Sequence, residues 1–222
     1  DKRWVGASRG GARPDSLALD DLASDIVAAV RAAVTDPRFG PVVILGHSEG
    51  GLLALRAAGG VLPVAGIALL ATPGRPFGAV VEDQLARQVD SGAARRFGEL
   101  FPRYLESEDL GSVPDYLRPL LLPANRRFSR SMAGFDPVEA IRAVHVPVLI
   151  VQGGADAQVT LSDAQLLRAA RPEAQLAIIP HANHLFKAAA GTDRVVQLAL
   201  YHDPTVPSVP ELAATIGTWI DG

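Results

Sequence analysis

Between Val42 and Gly60 the chain reads VVILGHSEGGLLALRAAGG, and no other stretch limits the possible folds as much. A short, wholly apolar, β-branched run suits a strand buried on both faces, the usual condition of a strand in a parallel sheet. A glycine-rich turn follows, and then a helix expected from about Gly51 to Ala58, stopped by Gly59 and Gly60. The pattern recurs along the chain. VAGIALLA (Val64–Ala71), VPVLIVQ (Val146–Gln152) and AQLAIIP (Ala174–Pro180) read as further strands. Leu17–Val34, Ser162–Ala170 and Val209–Ile220 read as helices. In the first of these, Leu17, Leu22, Ile26, Val27, Val30 and Val34 recur at helical spacing. Ser16 stands at the N-cap position, and Asp20 and Asp21 lie near the positive end of the helix dipole. Strands alternating with helices predict an α/β fold, a mostly parallel sheet flanked by helices and joined by right-handed crossovers.

From Thr72 to about Ala140 the texture changes. Prolines, arginines and the aromatics Phe97, Phe101, Tyr104, Tyr116, Phe128 and Phe135 replace the alternation, and short helices are expected around Val80–Val89 and Ala93–Leu105. This is an insertion with its own helices. The expected organisation is a core formed by residues 1–72 and 141–222, interrupted by a helical insertion at 73–140.

Composition narrows the function classes. With 222 residues, 48% hydrophobic and 20% charged, the chain can bury a core within one domain. Its 21 basic residues are scattered against 24 acidic ones, for a net charge of −3, and no basic stripe points to nucleic acid or a membrane surface. The absence of cysteine excludes disulfides, zinc-thiolate sites and thiol nucleophiles. The longest apolar stretch, Val61–Ala71, is too short for a membrane span and contains a proline. Compartment stays open, cytoplasmic or exported.

In open parallel sheets, ligands bind at the carboxyl ends of the strands, so the informative residues should follow the strands. Gly46-His47-Ser48-Glu49-Gly50 has the G-x-S-x-G spacing between a strand and a helix. A sharp turn there strains the serine and lifts its hydroxyl above the sheet, and small residues on either side admit the neighbouring backbone. The helix start supplies N–H groups and a positive dipole end for a developing oxyanion. A serine needs a base, and the base an orienting acid. Asp156 follows the third strand beyond the turn-forming Gly153-Gly154; taken alone, it reads better as a cap for the helix beginning near Leu161. His181 and His184 follow the fourth strand, and His184 can swing back toward Ser48. The order serine, acid, histidine, each after its own strand, is the order of a hydrolytic triad on an α/β sheet. His47 is expected to pack beside the nucleophile, His145 precedes a strand, and His202 lies in a polar loop. No cluster has convincing metal-ligand spacing, since HANH lacks a third ligand, and no G-x-G-x-x-G stands in a dinucleotide-binding context.

DKRWVGAS at Asp1–Ser8, GHSEGG at Gly46–Gly51, QGGADAQV at Gln152–Val159 and NHLF at Asn183–Phe186 together resemble the bacterial α/β-hydrolases of the esterase and serine-peptidase-like group. The resemblance implies Ser48 as nucleophile, Asp156 as acid, His184 as base and the Glu49 backbone N–H as an oxyanion donor. It places the 73–140 insertion where the family carries a cap over its site. Trp4 stands where the family usually has glycine. The family's strands that precede the DKRG segment, one of whose loops supplies a second oxyanion donor, have no counterpart in the sequence. The expected fold is therefore an N-terminally shortened α/β-hydrolase, with an open sheet edge that could pair in a homodimer. The implied reaction is hydrolysis of a carboxylic ester of small to medium acyl chain through an acyl-enzyme, with a small-molecule substrate and no cofactor. Two other readings stand beside it. One is an aminopeptidase or amidase holding a substrate amine on Glu82, Asp83, Glu106, Glu108 or Asp109. The other is an impaired hydrolase serving as a binding module.

Overall fold

The computed structural model describes residues 2–3, 5–9, 14–60, 62–107 and 109–222. Trp4 and Glu108, singled out above, lie outside the described residues. Four strands, β1 (Val43–His47), β2 (Gly66–Leu70), β3 (Val148–Gly153) and β4 (Gln175–Ile179), form one sheet in the order β1-β2-β3-β4. Every pairing is parallel, with Leu45 opposite Ala68, Ala68 opposite Leu149 and Ile150 opposite Leu176. The expected parallel α/β sheet is borne out.

Alternation along the strands sorts their apolar residues onto two faces. Ile67 and Leu69 of β2 and Val148 and Ile150 of β3 face one way. There they pack with Ala23 and Val30 of α1 (Leu19–Thr35), Ala54 and Leu55 of α2 (Glu49–Ala58) and Leu167 of α7 (Leu161–Ala170). Ala68, Leu70, Leu149 and Val151 face the other way, against Leu212, Ile216 and Trp219 of α9 (Pro210–Asp221). Gly66 lets α9 lie this close: a β-carbon there would stand 2.6 Å from the Trp219 ring. Among the described residues β1 lies at the edge of the sheet, and its Leu45 remains 48% exposed, so this strand is not buried on both faces as its apolar run suggests.

The start of α1 differs from expectation. Ser16 belongs to a 3-10 turn (Pro14–Ser16), and the helix begins at Leu19 with Ala18 as its N-cap. Ala18 has no capping oxygen, so Asp21 reaches back to accept from the Ala18 N–H at 2.8 Å. The 17–34 stripe is otherwise helical as expected, from Leu19.

The segment after β2 is helical. α3 (Phe77–Gln88) and α4 (Ser91–Glu106) form a hairpin whose second helix is capped by the Asp90 carboxylate accepting from Ala93 N–H at 2.8 Å. Phe97, Leu100, Phe101 and Tyr104 of α4, with Leu85 of α3, make a separate aromatic core. Two 3-10 turns (Asp115–Leu120 and Pro123–Asn125) lead to α5 (Arg126–Ala133). α6 (Pro137–Arg142), started by Asp136, spans position 140 and places Ile141 in the core beneath the sheet. A helix not anticipated from the sequence, α8 (Arg194–His202), takes in His202. Val195, Val196 and Leu198 point outward, with Val195 75% exposed, and Gln197 is its buried residue. The Gln197 amide donates to the carbonyls of Ala155 and Gly191, and Lys187 Nζ caps the other end by donating to the carbonyls of Leu200 and Asp203. None of the described helices is long and apolar enough to cross a membrane.

The α3–α4 hairpin is fixed to the sheet layer by an ion cluster. Arg75 donates to both oxygens of Asp163 (2.9 and 2.8 Å) and to Asp83 of α3 (2.8 Å), and the Gly74 N–H also donates to Asp163. Asp163 is fully buried. Burial pushes its carboxyl up, but hydrogen bonds from Arg75 and Thr160 outweigh that and hold it below the usual carboxylate range. Its stabilising contribution is therefore present above the unfolded value and lost as pH falls through the lower, folded one. Asp163→Asn leaves Arg75 facing a neutral partner and should cost about 2–3 kcal/mol in urea denaturation at pH 7. The difference from wild type should shrink toward pH 3; a pH-independent difference would contradict the charge assignment.

Candidate active site

The turn after β1 carries Ser48 at φ 54°, a left-handed conformation that costs a non-glycine residue about 1–3 kcal/mol. The close fit around it explains why the turn is rich in glycine. A β-carbon on Gly46 would stand 2.5 Å from the Gly50 carbonyl oxygen, and one on Gly51 would stand 1.9 Å from Thr72 Oγ1. The Ser48 N–H donates to the Leu70 carbonyl at 2.8 Å, tying the turn to the end of β2. Ser48 is the N-cap of α2, and Glu49 is its first residue. First-turn amides of a helix have no intrahelical acceptor, so the Glu49 N–H is available to an anion at Ser48. The Glu49 side chain turns outward to an ion pair with Lys2 at 2.5 Å.

Asp156 and His184, drawn from different loops, meet. His184 Nδ1 lies 2.9 Å from Asp156 Oδ2, and the two residues are 4% and 5% exposed. A buried carboxylate must be satisfied on both oxygens. Oδ1 accepts from the Gln158 and Val159 N–H groups (2.7 and 3.0 Å), and Oδ2 also accepts from Gln152 Nε2 at 3.1 Å. Helix α7 takes Thr160 as its N-cap, so Asp156 is not a helix cap. The carboxylate thus fixes its own loop and faces the histidine, which leaves Nε2 as the ring's free end.

Backbone proximity makes this meeting possible. A β-carbon on Gly153 would stand 2.3 Å from the Ala182 carbonyl oxygen, and one on Gly154 would stand 2.5 Å from that of Pro180. The Gly154 N–H donates to Ile179 O and the Ala155 N–H to Ala182 O (2.9 and 3.0 Å). The turn that carries His184 is built by Asn183, fully buried, whose Oδ1 accepts from the N–H groups of Leu185 and Lys187. Phe186 closes it at φ 55°.

The remaining histidines separate. His181 lies 3.6 Å from Glu211 of α9, and both are exposed, so it points away from His184. His145 is exposed ahead of β3. His47, expected beside Ser48, instead turns its ring to His184: the two rings lie 4.8 Å apart at 50°, and His47 Nε2 is 2.8 Å from the His184 carbonyl oxygen. Burial lowers the pKa of His47 below the ordinary histidine value, against the opposing pull of that carbonyl. Sequence reasoning missed this bond and the support from Gln152. Gln152 stands in the QGGAD motif, but the polarity of a residue at a buried strand end was its one available signal.

Ser48 opens into a cavity of about 210 Å³ lined by Leu52, Phe77, Val80, Val81, Met132 and Gln84, among others. No hydrogen bond joins Ser48 Oγ to His184 among the described residues, and such bonds often close only with substrate in place. What the geometry offers is a strained hydroxyl at a helix N-terminus, in a mostly apolar pocket, at the same sheet end as a buried acid–histidine pair.

A family model described as "Alpha/beta hydrolase family" matches residues 4–198. Esterase EstD of Thermotoga maritima is 26% identical over 188 residues, which are 83% of this chain and 45% of that protein. The chain therefore spans less than half the length of that curated relative. An esterase of Pyrococcus furiosus aligns with the whole chain and 67% of its own at a TM-score of 0.58 and 17% identity. A thermophilic esterase of Thermogutta terrifontis, solved with malate bound, aligns with the whole chain and 78% of its own at 0.58 and 19%. At such identities the two structures speak to the fold alone. With the family match covering most of its length, and with the parallel sheet and the G-x-S-x-G turn at the end of β1, the chain belongs to the α/β hydrolase family.

Proposed function

We propose that the chain hydrolyses carboxylic esters through Ser48, His184 and Asp156. The observation that carries this reading is the 2.9 Å contact between the buried His184 and Asp156, at the sheet end where Ser48 is held in a left-handed conformation. His184 Nε2 takes the Ser48 proton as Oγ attacks the acyl carbonyl, and Asp156 holds the ring and stabilises the imidazolium. The tetrahedral oxyanion forms against the Glu49 N–H at the positive end of α2. His184 then returns its proton to the leaving alcohol, and the same residue activates the water that releases the acid from Ser48.

The pocket supports an ester with a small or medium acyl group. At about 210 Å³ it falls below the roughly 300–1,000 Å³ typical of drug-sized ligand sites. Most of its lining is apolar. Among the described residues, the aminopeptidase or amidase alternative finds no free carboxylate at this pocket. Glu49 is paired with Lys2, Asp83 is held by Arg75 and Arg87, and Glu82, Glu106 and Asp109 are exposed. The esterase names among the relatives favour the same reading.

Three outcomes follow. Ser48→Ala should lower turnover of p-nitrophenyl butyrate by at least about 10⁴-fold with unchanged thermal stability, and undiminished turnover would remove Ser48 from the mechanism. Asp156→Asn should lower kcat by about 10³–10⁴-fold, because the amide no longer selects the histidine tautomer. In a series of p-nitrophenyl esters, kcat/KM should peak at acyl chains of about two to six carbons, and a maximum at palmitate would show that the pocket does not hold the acyl group.

A further inference from the structure

We propose that His47 is a positioning residue for the base, holding His184 in register with Ser48 by donating its Nε2–H to the His184 main-chain carbonyl. The inference rests on the reading of His184 as base. A carbonyl oxygen can only accept, so the 2.8 Å contact requires a proton on His47 Nε2. That proton is present in the Nε2–H neutral tautomer and in the cation alike, so the bond is not switched by pH.

Three observations assign the bond a role beyond packing. First, the turn that carries His184 is closed largely by its own groups, with the Phe186 carbonyl taking the Val209 N–H. Asn183 Oδ1 takes Leu185 and Lys187 N–H, Phe186 N–H donates to Asn183 O, and Asn183 N–H donates to Lys187 O. The His184 carbonyl is instead given to a side chain of β1, 137 residues away in sequence. Second, His47 is adjacent to Ser48, so one peptide unit links the anchor of the base to the nucleophile. His184 is then held at two points, its main chain from β1 and its Nδ1 from Asp156. Third, the turn contains Phe186 at φ 55°, a strained conformation that persists only where surrounding contacts enforce it. The His47 ring lies against that residue too, at 6.3 Å and 66°. A displacement of about 1 Å between base and nucleophile can cost on the order of 100-fold in rate, so an anchor at this point acts on kcat rather than on substrate affinity.

The test pairs two side chains of nearly equal size. His47→Gln keeps an N–H donor and His47→Met does not, and both are compared with wild type on p-nitrophenyl butyrate. His47→Met should lose about 10–100-fold in kcat with KM within about twofold, whereas His47→Gln should stay within about threefold of wild type. A wild-type kcat for His47→Met, equal losses in the two variants, or a loss confined to KM would overturn the assignment. A second measurement needs no variant: long-range ¹H–¹⁵N NMR of the unmodified protein should show the His47 proton on Nε2 at pH 8, and an Nδ1–H tautomer would overturn the proposal. Ser48→Ala run alongside separates the two readings. Turnover surviving Ser48→Ala removes the serine mechanism and the base with it. An inactive Ser48→Ala beside a fully active His47→Met removes only the role of His47.

Discussion

The site depends on how closely two loops can approach. β3 and β4 are neighbouring parallel strands, and the loops leaving them must touch for Asp156 to reach His184. Gly153 and Gly154 allow this, because any side chain there would run into the carbonyls of Ala182 and Pro180. The bonds from Gly154 and Ala155 to the β4 loop then extend the sheet's own register beyond its last paired residues. The acid–histidine contact is therefore a continuation of backbone pairing, and its distance is set by the main chain before any side chain chooses a rotamer.

The Ser48 turn obeys the same rule at another place. Gly46 and Gly51 clear the space in which β1 reverses into α2, Thr72 fills the gap beneath, and the Leu70 carbonyl holds the Ser48 amide. Clearance and strain belong together here. The turn is tight enough to force Ser48 to positive φ, and the helix and strand on either side supply the contacts that keep it there. Two such main-chain constraints, one on each side of β2, fix both halves of the site relative to a single sheet.

Much of this was legible in the sequence for a physical reason. Strands of a parallel sheet are mostly apolar, fully buried in β2 and β3 and partly so in β1 and β4, so VVIL, VAGIALLA, VPVLIVQ and AQLAIIP stood out, and residues placed just after them had to share one edge of the sheet. What escaped were features without a local signature. α8 carries RVVQLALYH, in which Val195, Val196 and Leu198 face solvent while a glutamine is buried, so hydrophobic periodicity gives a poor guide to it. Ser16 looked like a cap, but Asp21 did that work from inside the helix. Arg75 and Asp163, 88 residues apart, gave no sign that they would meet. Gly153-Gly154 read as a turn, although the pair matters for the backbone it admits and not for the bend it makes.

The attachment of α8 gives the molecule an uneven distribution of local stability. A helix fastened by buried apolar area comes loose only when that area is exposed, whereas α8 is fastened by directional bonds from Gln197 and Lys187. Water can replace such bonds one at a time, so α8 can open in fluctuations far smaller than global unfolding. One of its fastenings is the Ala155 carbonyl beside the Asp156 loop, and the other, Lys187, leaves the turn that holds His184. α8 is thus tied by side-chain bonds to the loop that carries Asp156 and to the turn that carries His184, so opening of that helix removes one fastening from each.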